Sequence, residues 1–332
     1  MVLYNLTTVL PLRIKPNDVE DSTDRIETEP DDYIPDFAER EALIAEWDQL
    51  RRSRIPVRYF TPTATGILMV APLKVLQDLL QTCKKAPGVF FDGVMERLNR
   101  DGFGVMENYV LGDRFIDNSW SEENTTPCIL AGNSGRFVDT LRIFPRMANG
   151  RQRLQSILQV FWGEKAALWI TTVSNPDLVE SPQNQISLMG YGFPFSQARL
   201  AFKPLRSADP NERRLQLHWL SPSAFRTFNS CFYDNPLQHA GLNAENTKTW
   251  GDRFRDRRGQ GDFETGHVIT IRCDNPADLP DWDMLEMQWD LLRVGAIAGA
   301  KLDTMDDGTD WLHYKDDGDD EDVEFFQLDQ EQ

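Results

Sequence analysis

Residues 180–205 read ESPQNQISLMGYGFPFSQARLAFKPL. The opening ESPQN is polar and carries Pro182, so it reads as a turn, and an asparagine in a turn hydrogen-bonds backbone readily. NQISL reads as a short strand, GYGFPF as a glycine-aromatic break, and RLAFKPL as a second strand. Upstream, PCILAG (127–132) opens a compact unit and VDTLRIF (138–144) reads as a strand. NGRQRLQSILQVFWGEKAALWIT (149–171) reads as one long helix. Downstream, RLQLHWL (214–220) alternates Leu215, Leu217 and Trp219 at the period of a strand, and HVITIRCD (267–274) does the same.

The flanks are helical. Leu43, Trp47 and Leu50 recur at helical spacing, which predicts a helix over 37–54 closed by the cations of RRSR. PLKVLQDLLQTCKK (72–85) and GVFFDGVMERLNRDG (88–102) predict two more, the second with a stop signal in Asn99 and Gly102. From Asp113 to Pro127 the chain turns polar, as a linker or long loop would. In 274–300, Asp281 or Asp283 can cap a helix whose apolar stripe is Leu285, Trp289, Leu292 and Ala296. The fold class expected is α+β. Its predicted parts are an acidic disordered N-terminus (1–36), a helical region (37–120), a central domain (121–235), a C-terminal strand and helix (236–300) and an acidic tail (301–332).

The chain has 332 residues and a formal charge of −18. That charge is concentrated at the ends. Residues 18–41 hold 11 acids and 2 bases, residues 301–332 hold 13 acids and 2 bases, and residues 42–300 hold 29 of each. A neutral body supplies no basic field to draw in nucleic acid. The acidic termini could instead dock a basic protein. No run of 18 apolar residues occurs, so no membrane span is expected. Cys83, Cys128, Cys231 and Cys273 form no CxxC pair, which points to free thiols and an intracellular chain, cytoplasmic or nuclear. DTMDDG (303–308) has an EF-hand flavour, but Met305 and Tyr314 stand where ligating acids are required.

Three stretches together resemble a large fungal family of proteins with an HNH (His-Asn-His) nuclease domain. CILAG…VDTLRIFP is similar to that family's CxLTG segment and first-histidine strand. VESPQNQISL…AFKPL…LQLHWL is similar to its Glu-Ser-x-x-Asn-x-Ile-x-Leu turn, its Leu-Lys-Pro strand and its His-Trp-Leu. GHVITIRCDNPADLPDWDMLEMQWDLLRVGAIAGA resembles its C-terminal strand and Leu-x-x-Gln-Trp helix. The resemblance covers about 120–300 and implies a ββα-metal (HNH)-like core with flanking helices. It also implies a strand histidine as general base and a divalent ion held partly by a helix histidine.

Carried over by position, the base falls on Arg142, the asparagine on Asn184 and the metal-binding histidine on or near Phe193. Guanidinium stays protonated at any working pH, and a phenyl ring has no lone pair for a metal. No histidine occurs before His218, so no shift of register restores either group. Asp139 is the acid nearest the first strand and the one candidate metal ligand, with Mg²⁺ the implied ion if activity survives. His218 reads as a structural histidine on the His-Trp-Leu strand. Arg253, Arg255, Arg257 and Arg258 form the best phosphate-contact candidate, diluted by Asp252 and Asp256. GNSGR (132–136) lacks the Gly-Lys-Ser/Thr of a phosphate loop and reads as a turn.

Two functional expectations compete. One is an HNH-like chain with a degenerate active site that acts as a binding or regulatory module. The other is an active Mg²⁺-dependent DNA endonuclease using substitute residues. A third, an acidic protein-interaction module, rests on the terminal charge alone.

Overall fold

Two helices that cross at a glycine organise the fold. α1 (Phe37–Arg52) buries Leu43, Ile44 and Trp47 on the stripe that the spacing predicts. α2 (Pro62–Val70) carries no amphipathic signal because every one of its residues is buried. Its start is nonetheless well marked: Thr61 accepts from the Ala64 N–H, and Pro62 occupies the first turn, where no N–H is missed. α3 spans Leu73–Lys85 and α4 spans Val89–Glu96. The predicted stop at Asn99 and Gly102 does not hold. The chain runs on through a π-helical turn, Arg97–Asp101, into α5 (Gly102–Val110). Asn99 is used for tertiary contact instead, its Oδ1 accepting from the Thr61 N–H, so tertiary pairing overrides the local breaker.

The computed structural model describes residues 34–299, apart from 54–59, 87, 111, 117–126, 131, 133–137, 148–150, 190, 221–222, 226–234, 244–253, 256–261 and 264. Both acidic termini, His313 and the EF-hand-like segment therefore lie outside the described residues, as do Arg253, Arg257, Arg258 and Cys231. So do all of GNSGR but Gly132 and most of the 113–127 linker.

The chain is mixed α+β, with two three-stranded antiparallel sheets. The first sheet has the order β1 (Asp113–Phe115), β2 (Val138–Arg146), β3 (Gln185–Met189). The helix expected over 149–171 is broken into α6 (Arg151–Phe161) and α7 (Glu164–Ser174). Gly163 makes the break. It adopts φ +58°, and a Cβ there would stand 3.0 Å from a Val75 methyl. A short turn, α8 (Pro176–Val179), leads to β3, and α9 (Gly192–Ser196) follows β3.

The second sheet has the order β4 (Leu200–Leu205), β5 (Glu212–Trp219), β8 (Val268–Arg272). Between β5 and β8 lie α10 (Pro236–Ala240) and a two-residue ribbon. The ribbon pairs β6 (Phe254–Arg255) with β7 (Asp262–Phe263), placing the Arg255 backbone in a strand rather than a loop.

α11 (Trp282–Ile297) is the central element, capped by Asp281, whose side chain accepts from the Met284 N–H. It packs on α2 and β4. The approach to α2 is close enough that a Cβ on Gly66 would lie 2.7 Å from the Val294 carbonyl oxygen. On the other side Gln288 of α11 meets the edge of β4. Its amide donates to the Phe202 carbonyl and its Oε1 faces the Phe202 N–H at 3.4 Å. A side-chain amide here substitutes for a missing neighbouring strand, which satisfies backbone that would otherwise be buried unpaired.

Candidate functional site

β2, β3 and α9 place the positions of interest. β2 and β3 pair in register from Val138↔Met189 to Arg142↔Gln185. Past Arg142 the ladder with β3 ends, and that with β1 is interrupted until Arg146. Toward β3 the chain turns into a 3₁₀ segment, Pro182–Asn184, so Phe144 has no strand partner. Toward β1 the register shifts, and the two steps from Asp113 to Phe115 face the five from Leu141 to Arg146. Side chains fill both gaps. Asn184 accepts from the Phe144 N–H at 2.6 Å and donates to the Phe144 carbonyl at 2.9 Å and the Val179 carbonyl at 2.7 Å. The Arg114 guanidinium donates to the carbonyls of Arg142 and Ile143 at 3.1 and 2.5 Å, and to Tyr109.

Asn184 is fully buried, and its three hydrogen bonds use both amide protons and the oxygen. It holds distant backbone together rather than closing its own turn. Arg142 is 6% exposed and works as a second strap across the bulge. Its Nη1 donates to the Phe115 carbonyl at 3.0 Å and lies 3.6 Å from the Asp113 carboxylate, and its Nη2 lies 4.0 Å from Glu180. Arg146 grips the same Glu180 through both oxygens, at 3.1 and 2.6 Å. That hydrogen bond, followed by the charges of Arg146, Arg142 and Arg151, holds the Glu180 carboxyl below its ordinary pKa.

Asp139 stands apart. Strand alternation puts it on the opposite face from Arg142, where its carboxylate lies over the start of α9. A Cβ on Gly192 would be 2.9 Å from Asp139 Oδ2 and 3.2 Å from the Phe115 ring. Partial burial raises the Asp139 pKa above the usual carboxylate value. Phe193 lies in α9, on the helix where the resemblance puts the second imidazole. The fold thus brings Asp139 to the helix but leaves Arg142 on the far face of the strand. Among the described residues, no three His, Cys, Asp or Glu side chains gather at metal-binding spacing.

A second cluster of buried polar groups joins β4, β5 and α11. His218 is fully buried, its Nε2 is 2.8 Å from Gln216 Oε1, and its ring packs on Trp289 at 4.6 Å between centroids. Burial, then the charges of Lys203 and Arg293, push its pKa down to about 3, so the imidazole is neutral. With Nε2 donating to Gln216, Nδ1 is left a buried acceptor with no hydrogen-bond partner among the described residues. Arg293 stacks over the other ring of interest, Trp289, at 4.3 Å and donates to Asp290, which also accepts from Trp162 Nε1 at 2.9 Å.

Residues of AFKPL, LHWL and LEMQW therefore meet in space: Phe202 with Gln288, and His218 with Trp289. Sequence reasoning treated these as separate elements and missed Lys203 and Arg293. The available signal was charged residues, Lys203, Asp290 and Arg293, inside segments otherwise written in apolar residues.

Comparison of the chain with protein-family models, with curated proteins and with solved structures finds no match.

Proposed function

We propose that this chain is a ββα-metal protein of HNH type whose motif positions serve as backbone supports, and that it acts as a binding or regulatory module without nuclease activity. The observation that carries this reading is the state of Arg142 and Asn184. One is a buried cation straddling a strand bulge, and the other has both amide protons and its oxygen engaged by Phe144 and Val179. Neither can take a proton from water. The donor set does not fit a divalent ion either. Phe193 offers no lone pair, Asn184 is fully buried with Oδ1 turned to the Phe144 N–H, and Asp139 supplies a single carboxylate at the start of α9.

Asp139 is what favours the competing reading, an active endonuclease with substitute residues. Incubation of the pure protein with supercoiled and linear DNA in Mg²⁺, Mn²⁺ and Zn²⁺ separates the two. No metal-dependent nicking above the buffer control is expected. Nicking that disappears in Asp139→Asn would overturn the proposal. Binding of nucleic acid through the arginine-rich segment around Arg255, or of a basic protein through the acidic termini, belongs to the same module reading. Both contacts weaken with ionic strength, so removal of residues 301–332 distinguishes those partners: binding carried by the tail is lost with it, and nucleic-acid binding is kept.

A further inference from the structure

Beside α11 a cavity of about 310 Å³ opens between β4, α7, the end of α2 and the segment that precedes α1. Its charged lining is unbalanced. Lys165, Lys203 and Arg293 converge on it, against Glu286 and Asp290. Asp290 is already committed to Arg293 and Trp162, and Glu286 faces Lys165 at 3.9 Å. A further cation, Arg40, lies close behind. It hydrogen-bonds the carbonyl of Pro35, which lines the cavity, and the carbonyls of Leu68 and Ala71.

These cations crowd one another. Burial and then Arg293 lower the pKa of Lys203, and the same two causes bring Arg40 down to about 10. Three cations lining one half-buried pocket, with the pKa of Lys203 lowered, are the kind of cluster that recurs at binding sites. The walls are stiff: Pro35, Pro72 and Pro204 line the cavity, and Trp289 is held between Arg293 and His218. A preformed, rigid pocket of this size suits a metabolite-sized ligand, since little ordering is needed on binding.

We propose that this cavity binds a small organic oxyanion, its charged group held by Lys203 and Arg293 and its carbon frame lying along Pro72, Pro204 and Trp289. Lys165 closes the mouth over it. The site shares no residue with the β2–β3–α9 region, so it stands or falls independently of the nuclease question.

The test titrates the full-length protein with inorganic phosphate, with citrate and with sodium chloride at matched ionic strength, read by calorimetry and thermal unfolding. Saturable binding and a raised melting temperature are expected with one or both oxyanions and not with chloride. A preference for phosphate identifies a phosphate ester as the ligand class, and a preference for citrate identifies a carboxylate. Lys203→Gln is expected to weaken binding by about tenfold or more, the worth of one charge-assisted hydrogen bond. Lys165→Gln, at the half-exposed mouth, gives a smaller loss and settles the matter should Lys203→Gln fail to fold. Lys84→Gln, on a distant surface, leaves binding unchanged. A response no greater than that to chloride overturns the proposal, as does oxyanion binding that survives the lining substitutions intact.

Discussion

Asn184→Leu is expected to lower the unfolding free energy by about 3–5 kcal/mol, read by denaturant unfolding. The side chain is fully buried, and leucine keeps the branching at Cγ but carries bulkier methyls, so no cavity opens and crowding adds to the loss. The loss is in hydrogen bonding. Leucine leaves the Phe144 N–H, the Phe144 carbonyl and the Val179 carbonyl without partners, and an orphaned buried backbone group costs about 1–3 kcal/mol. Asn184→Asp separates the parts. It retains an acceptor for Phe144 N–H but turns two carbonyl oxygens against a carboxylate, so it is expected to destabilise at least as much. A loss below about 1 kcal/mol in Asn184→Leu would show that water replaces these bonds, and the staple would then be no explanation for the residue.

His218 gives the second large effect. Its folded pKa of about 3 lies below the ordinary 6.5, with burial the first cause and Lys203 and Arg293 next. Between those values the unfolded chain binds a proton that the folded chain does not, so stability falls as the pH is lowered from 6.5 toward 3. At about 1.4 kcal/mol per pH unit, the contribution missing at pH 4.5 is about 3 kcal/mol. In His218→Gln that contribution is absent. The wild-type and variant stabilities, measured by denaturant at each pH, are therefore expected to keep a constant difference above pH 7 and to converge in acid. Parallel curves from pH 7 to 4.5 would mean that His218 is not held neutral.

Much of the fold was legible because periodicity reports burial on one face. The stripe of Leu43 and Trp47, the alternation in RLQLHWL and the cap at Asp281 all have structural counterparts. α2 was missed for the opposite reason: a helix buried all round carries no period. The break at Gly163 and the continuation past Asn99 turn on tertiary contacts, with Val75 and Thr61, that no local window contains. The site was legible only as positions. The resemblance puts Arg142 and Asn184 at motif positions, and the sequence offers no histidine before His218. It could not say that Arg142 spans a bulge, that Asn184 pairs with Phe144, or that Lys203 and Arg293 share a cavity wall with Trp289. Those facts depend on register and on helix docking, which are set by packing.

The claim at the centre is that the β2–β3–α9 region supports backbone and holds no catalytic ion. Mn²⁺ binding followed by electron paramagnetic resonance, in wild type and in Asp139→Asn, addresses it directly. Weak association shared by both proteins is the predicted result, the acidic termini being present in each. A tight, saturable site in wild type that Asp139→Asn abolishes would contradict it.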